Sequence, residues 1–138
     1  MLIIENETNF NIDSTLLKNI AKSLTNKDVE VVFVESTDMQ ELNKNTRKID
    51  KTTDVLSFPL DDLPFVPLGS VVINLEIAKS VASELGHTFE DEVALLFIHG
   101  ILHLLGFDHE VDSGEMREKE EELIKEFNLP KSLILRNS

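Results

Sequence analysis

The sequence contains no cysteine among its 138 residues. This absence excludes disulfide bridges and every metal site that is built on thiolate ligands, and it is compatible with a reducing compartment. Histidine and carboxylate side chains therefore remain as the strong metal ligands that the chain can offer.

Long hydrophobic runs are also missing. The longest apolar stretch, residues 93–107, is interrupted by two histidines and two glycines, and it is shorter than the roughly 20 residues that a membrane-spanning helix needs. The amino-terminal segment carries no basic region, so it lacks the pattern of a secretory signal. We expect a soluble, cytoplasmic protein without a membrane partner.

Positive charge is scarce. Lysine and arginine number 13 against 26 aspartates and glutamates, which gives a formal net charge of -13. A general nucleic-acid coat protein is excluded on this ground, because phosphate binding draws on clustered basic residues. One basic cluster stands out in the stretch NKNTRKIDK, with Lys44, Arg47, Lys48 and Lys51. On charge alone, it is most simply interpreted as the solvated face of a helix.

The alternation of apolar patterns predicts one α+β domain over residues 1–138. Strands are expected at about 2–6, 29–35, 54–60 and 70–73, and helices at about 13–24, 37–48, 74–86, 88–105 and 112–127. This order predicts one small mixed sheet of about four strands with about five helices packed on it. A helix that is apolar on nearly all sides, between residues 93 and 105, is expected at its centre.

Three of the four histidines lie in or just after this central helix, in the stretch FIHGILHLLGFDH. His99 and His103 are four residues apart, so they project from one helix face about 6 Å apart along the axis. Gly106 suits the left-handed conformation that ends a helix, after which the chain can bring His109 to the same point. Three neutral nitrogens would bind one zinc ion and leave a fourth position open, as in catalytic zinc sites.

The same spacing occurs in the HExxHxxGxxH motif of metzincin proteases, where the glutamate acts as the general base. Gly100 stands at that position here, and a hydrogen atom cannot accept a proton. A protease or another metal-dependent hydrolase therefore remains only an alternative, as does an assembly factor in which the zinc is mainly structural.

The stretch HGILHLLGFDH resembles the pattern HGxLHLxG(Y/F)DH of the YbeY family, bacterial endoribonucleases also called rRNA maturation factors. The stretch TDVLSFP supports the resemblance independently, and the likeness covers about residues 40–122. It implies a zinc-dependent, single-strand-directed endoribonuclease that acts on ribosomal particles, in maturation of the 3′ end of small-subunit rRNA and in ribosome quality control. Neither DNA nor a membrane is an expected partner.

Carried onto this chain, the resemblance implies one zinc ion on His99, His103 and His109. The resemblance also assigns a role to the basic cluster, because the family's arginine ahead of the TDVLSF stretch corresponds to Arg47. A guanidinium can bind phosphate with two hydrogen bonds and stabilise charge on a phosphoryl oxygen. We therefore predict Arg47 as catalytic and substrate-binding, and Lys48 as a further substrate contact. The nucleophile is either a metal-activated water or the neighbouring 2′-hydroxyl of the RNA. Attack by the 2′-hydroxyl would leave a cyclic phosphate.

Several further polar residues lie near these motifs. Many family members have aspartate where this chain has Ser70, and a serine cannot act as a carboxylate base at that position. Asp108 could accept a hydrogen bond from the outer nitrogen of a ligand histidine. Asp54 and Ser57 are interpreted as a turn cap and a strand-face hydroxyl, and His87 as structural.

Overall fold

A computed structural model describes residues 1–130 of the chain. Residues 131–138, which close the predicted domain, lie outside the described part. The strands are β1 (Leu2–Asn6), β2 (Val29–Val34), β3 (Val55–Pro59) and β4 (Gly69–Asn74). The helices are α1 (Thr15–Leu24), α2 (Ser36–Arg47), α3 (Leu75–Leu85), α4 (Phe89–Leu104) and α5 (Glu115–Phe127).

The four strands form one mixed sheet in the order β1-β2-β4-β3. The pairs β1–β2 and β2–β4 are parallel, whereas β3 runs antiparallel to β4 and lies at the edge. The α+β class, the four-stranded mixed sheet and the five helices confirm the prediction from the sequence. The order of the strands in the sheet was not predicted from the sequence.

Each face of the sheet packs on its own cluster of apolar side chains. One cluster joins odd-numbered residues of β2 and β4, such as Val31 and Val71, to α1, α3, α4 and α5. A smaller cluster on the other face joins Leu56 and Val72 to Met39 of α2. Because the first cluster surrounds it, α4 is buried along nearly its whole length, as its all-round apolar sequence predicts.

Both ends of α4 are fixed by local signals in the sequence. The Thr88 side chain accepts a hydrogen bond from the backbone nitrogen of Asp91, and acidic residues follow in the first turn, where the helix dipole favours negative charge. After the helix, Gly106 has a φ of 97°, a left-handed conformation that glycine adopts readily. The chain then turns back towards the helix face that carries His99 and His103.

The helix boundaries lie within one or two residues of the predicted ones, except at the start of α5. Helix α2 ends at Arg47, because Lys48 adopts the left-handed conformation at φ 61°. Helix α5 begins at Glu115 and not near Asp112. The Asp112 carboxylate instead accepts hydrogen bonds from the backbone nitrogens of Gly114 and Met116, so it lies ahead of the first turn. Within residues 1–130, no helix combines the length and the apolar character that crossing a membrane requires.

Gly100 lies where α4 packs closely against the sheet. A Cβ atom at this position would lie 2.5 Å from Val71 Cγ1 and 3.2 Å from Ser57 Oγ. The Ser57 hydroxyl donates a hydrogen bond of 3.0 Å to the backbone oxygen of Gly100. Glycine therefore serves close packing here, and a side chain at position 100 would point at the sheet.

We expect Gly100→Ala to lower the free energy of unfolding by about 1–2 kcal/mol, because overpacking against Val71 outweighs the gain in helix propensity. Denaturant unfolding measures this change. Val71→Ala removes both methyl groups that the new Cβ would meet, so the double variant should lose less stability than the sum of the two single variants. Strict additivity, or an alanine that stabilises the protein, would contradict the close packing.

Candidate metal centre

Three histidine side chains converge beside the carboxyl end of α4. His99 and His103 project from α4, and His109 reaches the same point from the loop that follows Gly106. One nitrogen of each ring lies within 4.8 Å of the others, in an arrangement that could hold a metal ion. Ring centroids are 4.8 Å apart for His99 and His103, 5.4 Å for His99 and His109, and 6.0 Å for His103 and His109.

The distances between the nitrogen atoms fit a tetrahedral ion. Two nitrogens that bind one zinc at 2.0–2.1 Å lie about 3.3 Å apart at the tetrahedral angle. The Nε2 atoms of His99 and His103 are 3.2 Å apart. His109 is the exposed member of the group, so a small adjustment of its ring would bring the third nitrogen to the same ion.

His99 is oriented from behind by a buried carboxylate. Its Nδ1 atom lies 3.2 Å from Oε2 of Glu120 on α5, and the exposed fraction of Glu120 is 1%. With the proton on Nδ1, His99 donates to Glu120 and turns the lone pair of Nε2 towards His103. A carboxylate in this role fixes the tautomer of a ligand histidine and strengthens its binding to a metal.

The surroundings of His103 favour the neutral form that a metal ligand needs, because they lower its pKa. Burial lowers the pKa of His103, and the nearby His99 lowers it further. A hydrogen bond with the backbone of Phe107 and the charge of Asp108 raise this pKa, but they only partly offset the two larger effects. A neutral imidazole keeps a lone pair for a cation.

A cleft of about 620 Å³ opens above the three histidines. We call it the histidine cleft. Its walls come from the end of α2, from β3 and from the loop after α4. The lining residues are Arg47, Asp54, Val55, Leu56, Ser57, Pro59, His99, His103, Gly106, Phe107, Asp108, His109 and Glu110.

Arg47 and the histidines therefore lie in one cleft although more than fifty positions separate them in the sequence. Within the described residues, the Arg47 guanidinium makes no hydrogen bond or ion pair, so its donors are free for a ligand. Lys48 is exposed and follows directly, but it does not line the cleft.

The other polar residues of the sequence prediction fall into distinct places. Asp108 lines the cleft, but its Oδ1 accepts a hydrogen bond from the backbone nitrogen of Glu110, so it supports the turn that carries His109. Ser57 bonds to α4, as described above. The His87 ring lies 2.8 Å from the buried Glu92 carboxylate, away from the cleft, in agreement with a structural role.

Ser70 lies on the other face of the sheet. Its neighbour Val71 faces α4, and side chains alternate between the two faces of a strand. The Ser70 hydroxyl donates a hydrogen bond to Oε1 of Glu30 on β2, and Ser70 does not line the histidine cleft. The replacement of aspartate by serine is therefore remote from the three histidines.

Glu120 is the site residue that the sequence prediction missed in this role. A signal was present, because Glu120 is four residues after Met116 and three before Leu123, and both neighbours are buried. A carboxylate that interrupts the inward stripe of an amphipathic helix needs a partner. The sequence prediction did not single out Glu120, because α5 also carries many exposed glutamates.

Fold and site together define an α+β domain with three histidines that could hold a metal ion in an open cleft. The family model described as Endoribonuclease YbeY matches residues 3–128. The chain belongs to this family.

Individual relatives agree over nearly the whole chain. An Endoribonuclease YbeY of Campylobacter jejuni is 66% identical over 121 residues, which are 87% of this chain and 90% of the relative. That of Nautilia profundicola is 53% identical over 137 residues, 99% of each chain. A solution structure of a Thermotoga maritima protein matches with a TM-score of 0.64 and 34% identity, over 92% of this chain and 89% of that one.

We expect Glu120→Gln to weaken zinc binding by about 10–100-fold, because the amide polarises His99 less than a carboxylate does. Competition with a chromophoric chelator measures the affinity. Glu121→Gln on the same helix is the matched control, since Glu121 is half exposed and pairs with Arg117. Equal affinities for both variants would contradict the role of Glu120.

Proposed function

We propose that this protein is a zinc-dependent endoribonuclease that cuts single-stranded RNA in the histidine cleft. The observation that carries the proposal is that Arg47 and three histidines suited to a metal line one cleft. The name of the family and of its relatives, Endoribonuclease YbeY, supports the reaction class.

His99, His103 and His109 would hold one zinc ion. When bound, zinc acts as a Lewis acid on a phosphoryl oxygen and raises the acidity of water. Helix α4 contributes two ligands from a buried, rigid element, and Glu120 fixes the orientation of His99. This rigidity keeps the centre in position while the substrate changes.

Arg47 would bind the phosphate next to the scissile bond. Its guanidinium can donate two parallel hydrogen bonds to phosphoryl oxygens and stabilise the charge that develops there. Lys48, the residue after Arg47, would contact a neighbouring phosphate as a point charge. These two roles predict that substitution of Arg47 changes the rate of RNA cleavage, whereas substitution of Lys48 changes mainly the affinity for RNA.

The proposed substrate is the 3′ end of small-subunit ribosomal RNA within ribosomal particles, and the proposed location is the cytoplasm. Both follow from the resemblance of the histidine and TDVLSF motifs to the family. The protease alternative is weakened by the packing at Gly100, because no carboxylate is present there and a side chain would point at the sheet.

We expect Arg47→Ala to reduce the cleavage rate of single-stranded RNA by about 100-fold or more, since a preorganised donor to the reacting oxygen is lost. Arg47→Lys should recover only part of the rate, because lysine lacks the bidentate fork. Rates under single-turnover conditions, on preparations with equal zinc content, measure both effects.

Lys125→Ala on α5 serves as the control for the loss of one positive charge, because Lys125 does not line the cleft. It should cleave at the wild-type rate. If Arg47→Ala does so as well, Arg47 has no part in the reaction. If the zinc-loaded wild-type protein leaves RNA intact, the proposed function itself is wrong.

A further inference from the structure

The outer edge of β3 forms one wall of the histidine cleft. Among residues 1–130, the sheet order β1-β2-β4-β3 leaves only the inner edge of β3 paired, with β4. Its residues Val55, Leu56, Ser57 and Pro59 line the cleft beside the histidines. An edge strand presents unpaired backbone donors and acceptors to whatever lies next to it.

The hydrogen bonds at the two ends of the β3–β4 ladder show which backbone groups point into the cleft. Leu60 donates to the oxygen of Leu68, and Asn74 donates to the oxygen of Asp54. Both pairs continue the regular antiparallel register in which Ser57 lies opposite Val71. Because residues of an antiparallel ladder alternate, the even-numbered residues of β3 bond to β4 and the odd-numbered residues point outward.

Val55 and Ser57 therefore each direct an N–H and a C=O to the outer edge, whereas Pro59 has only a C=O to offer. Within residues 1–130, no hydrogen bond from another segment reaches these groups. The side chains are engaged elsewhere, since Val55 packs on the main core and Ser57 bonds to α4. The groups of Val55 and Ser57 that remain available to a ligand in the cleft are therefore those of the backbone.

We propose that this edge binds the unpaired bases of the RNA substrate through the backbone N–H and C=O groups of Val55 and Ser57. Every RNA base has a hydrogen-bond donor next to an acceptor on its Watson–Crick edge, and unpaired bases are read at this edge. The N–H and C=O of one residue complement such a pair whatever the base. In a duplex the same base edges are already paired.

The edge would thus make the enzyme selective for single strands and indifferent to sequence. This inference rests on the proposed function, because Arg47 in the same cleft suits a phosphate. An extended peptide could also pair with an open strand edge, but it has no phosphate for Arg47. RNA is therefore the occupant that the cleft favours.

Amide hydrogen exchange tests the proposal on the intact, zinc-loaded protein. We expect a single-stranded oligouridine to slow exchange of the Val55 and Ser57 amides several-fold, and a blunt RNA duplex to leave it unchanged. Cleavage during the measurement leaves fragments that are still single-stranded. The amides of Leu56 and Phe58 are internal controls, because the ladder with β4 already protects them.

A pair of variants gives a second test. Val55→Pro removes the outward N–H but no ladder bond, while Val55→Ala shortens the side chain and keeps the N–H. We expect the proline variant to bind oligouridine about three- to tenfold more weakly than the alanine variant, as the loss of one hydrogen bond predicts. Thermal unfolding and zinc content verify that both variants are folded.

Unchanged exchange of both amides in the presence of saturating oligouridine would overturn the proposal, even if the protein cleaves RNA. Slowed exchange with an extended peptide but not with RNA would overturn it too, in favour of peptide binding. Slowed exchange with RNA but no cleavage would support the edge and contradict the proposed reaction, so the two failures are distinguishable.

Discussion

The close contact between α4 and the sheet is the constraint on which the site depends. At Gly100 the helix backbone comes so near to Val71 that no side chain fits between them, and Ser57 bonds directly to the helix backbone. This contact fixes the position of His99 and His103 relative to β3. The cleft consequently has histidine nitrogens on one side and a strand edge on the other.

Electrostatics impose a second requirement. Among the described residues, the carboxylates of Asp54, Asp108 and Glu110 line the cleft together with the guanidinium of Arg47. Without a cation, this set repels an anionic backbone. A divalent ion on the histidines would bring the lining to neutrality and add an attractive charge next to Arg47. In such an acidic protein, the metal would contribute to RNA binding as well as to the reaction.

Local signals made most of the fold predictable. The caps at Asn74 and Thr88 and the turn at Gly106 act within a few residues, so the sequence alone indicates where α3 and α4 begin and end. The His99–His103 spacing likewise needs only helix geometry. The strand order was not predictable in this way, because pairing of β4 with β2 and β3 depends on contacts between distant segments.

The same difference explains what was missed at the site. Arg47 was identified by resemblance to a family. Its place in the histidine cleft depends on β3, the antiparallel edge strand that follows α2. Glu120 belongs to a helix rich in exposed glutamates, and only the packing of α5 on α4 shows which one faces His99. Predicting that Ser70 lies on the far face of the sheet would have required the register of β4.

The central claim is that the three histidines form one metal centre on which RNA cleavage depends. Stepwise addition of zinc to metal-free protein, with the initial rate of single-stranded RNA cleavage measured after each step, tests it directly. The rate should rise in proportion to zinc and stop rising at one equivalent per chain, and His109→Ala should stay inactive over the same range. Full cleavage by the metal-free protein, or a rise unaffected by His109→Ala, would contradict the account.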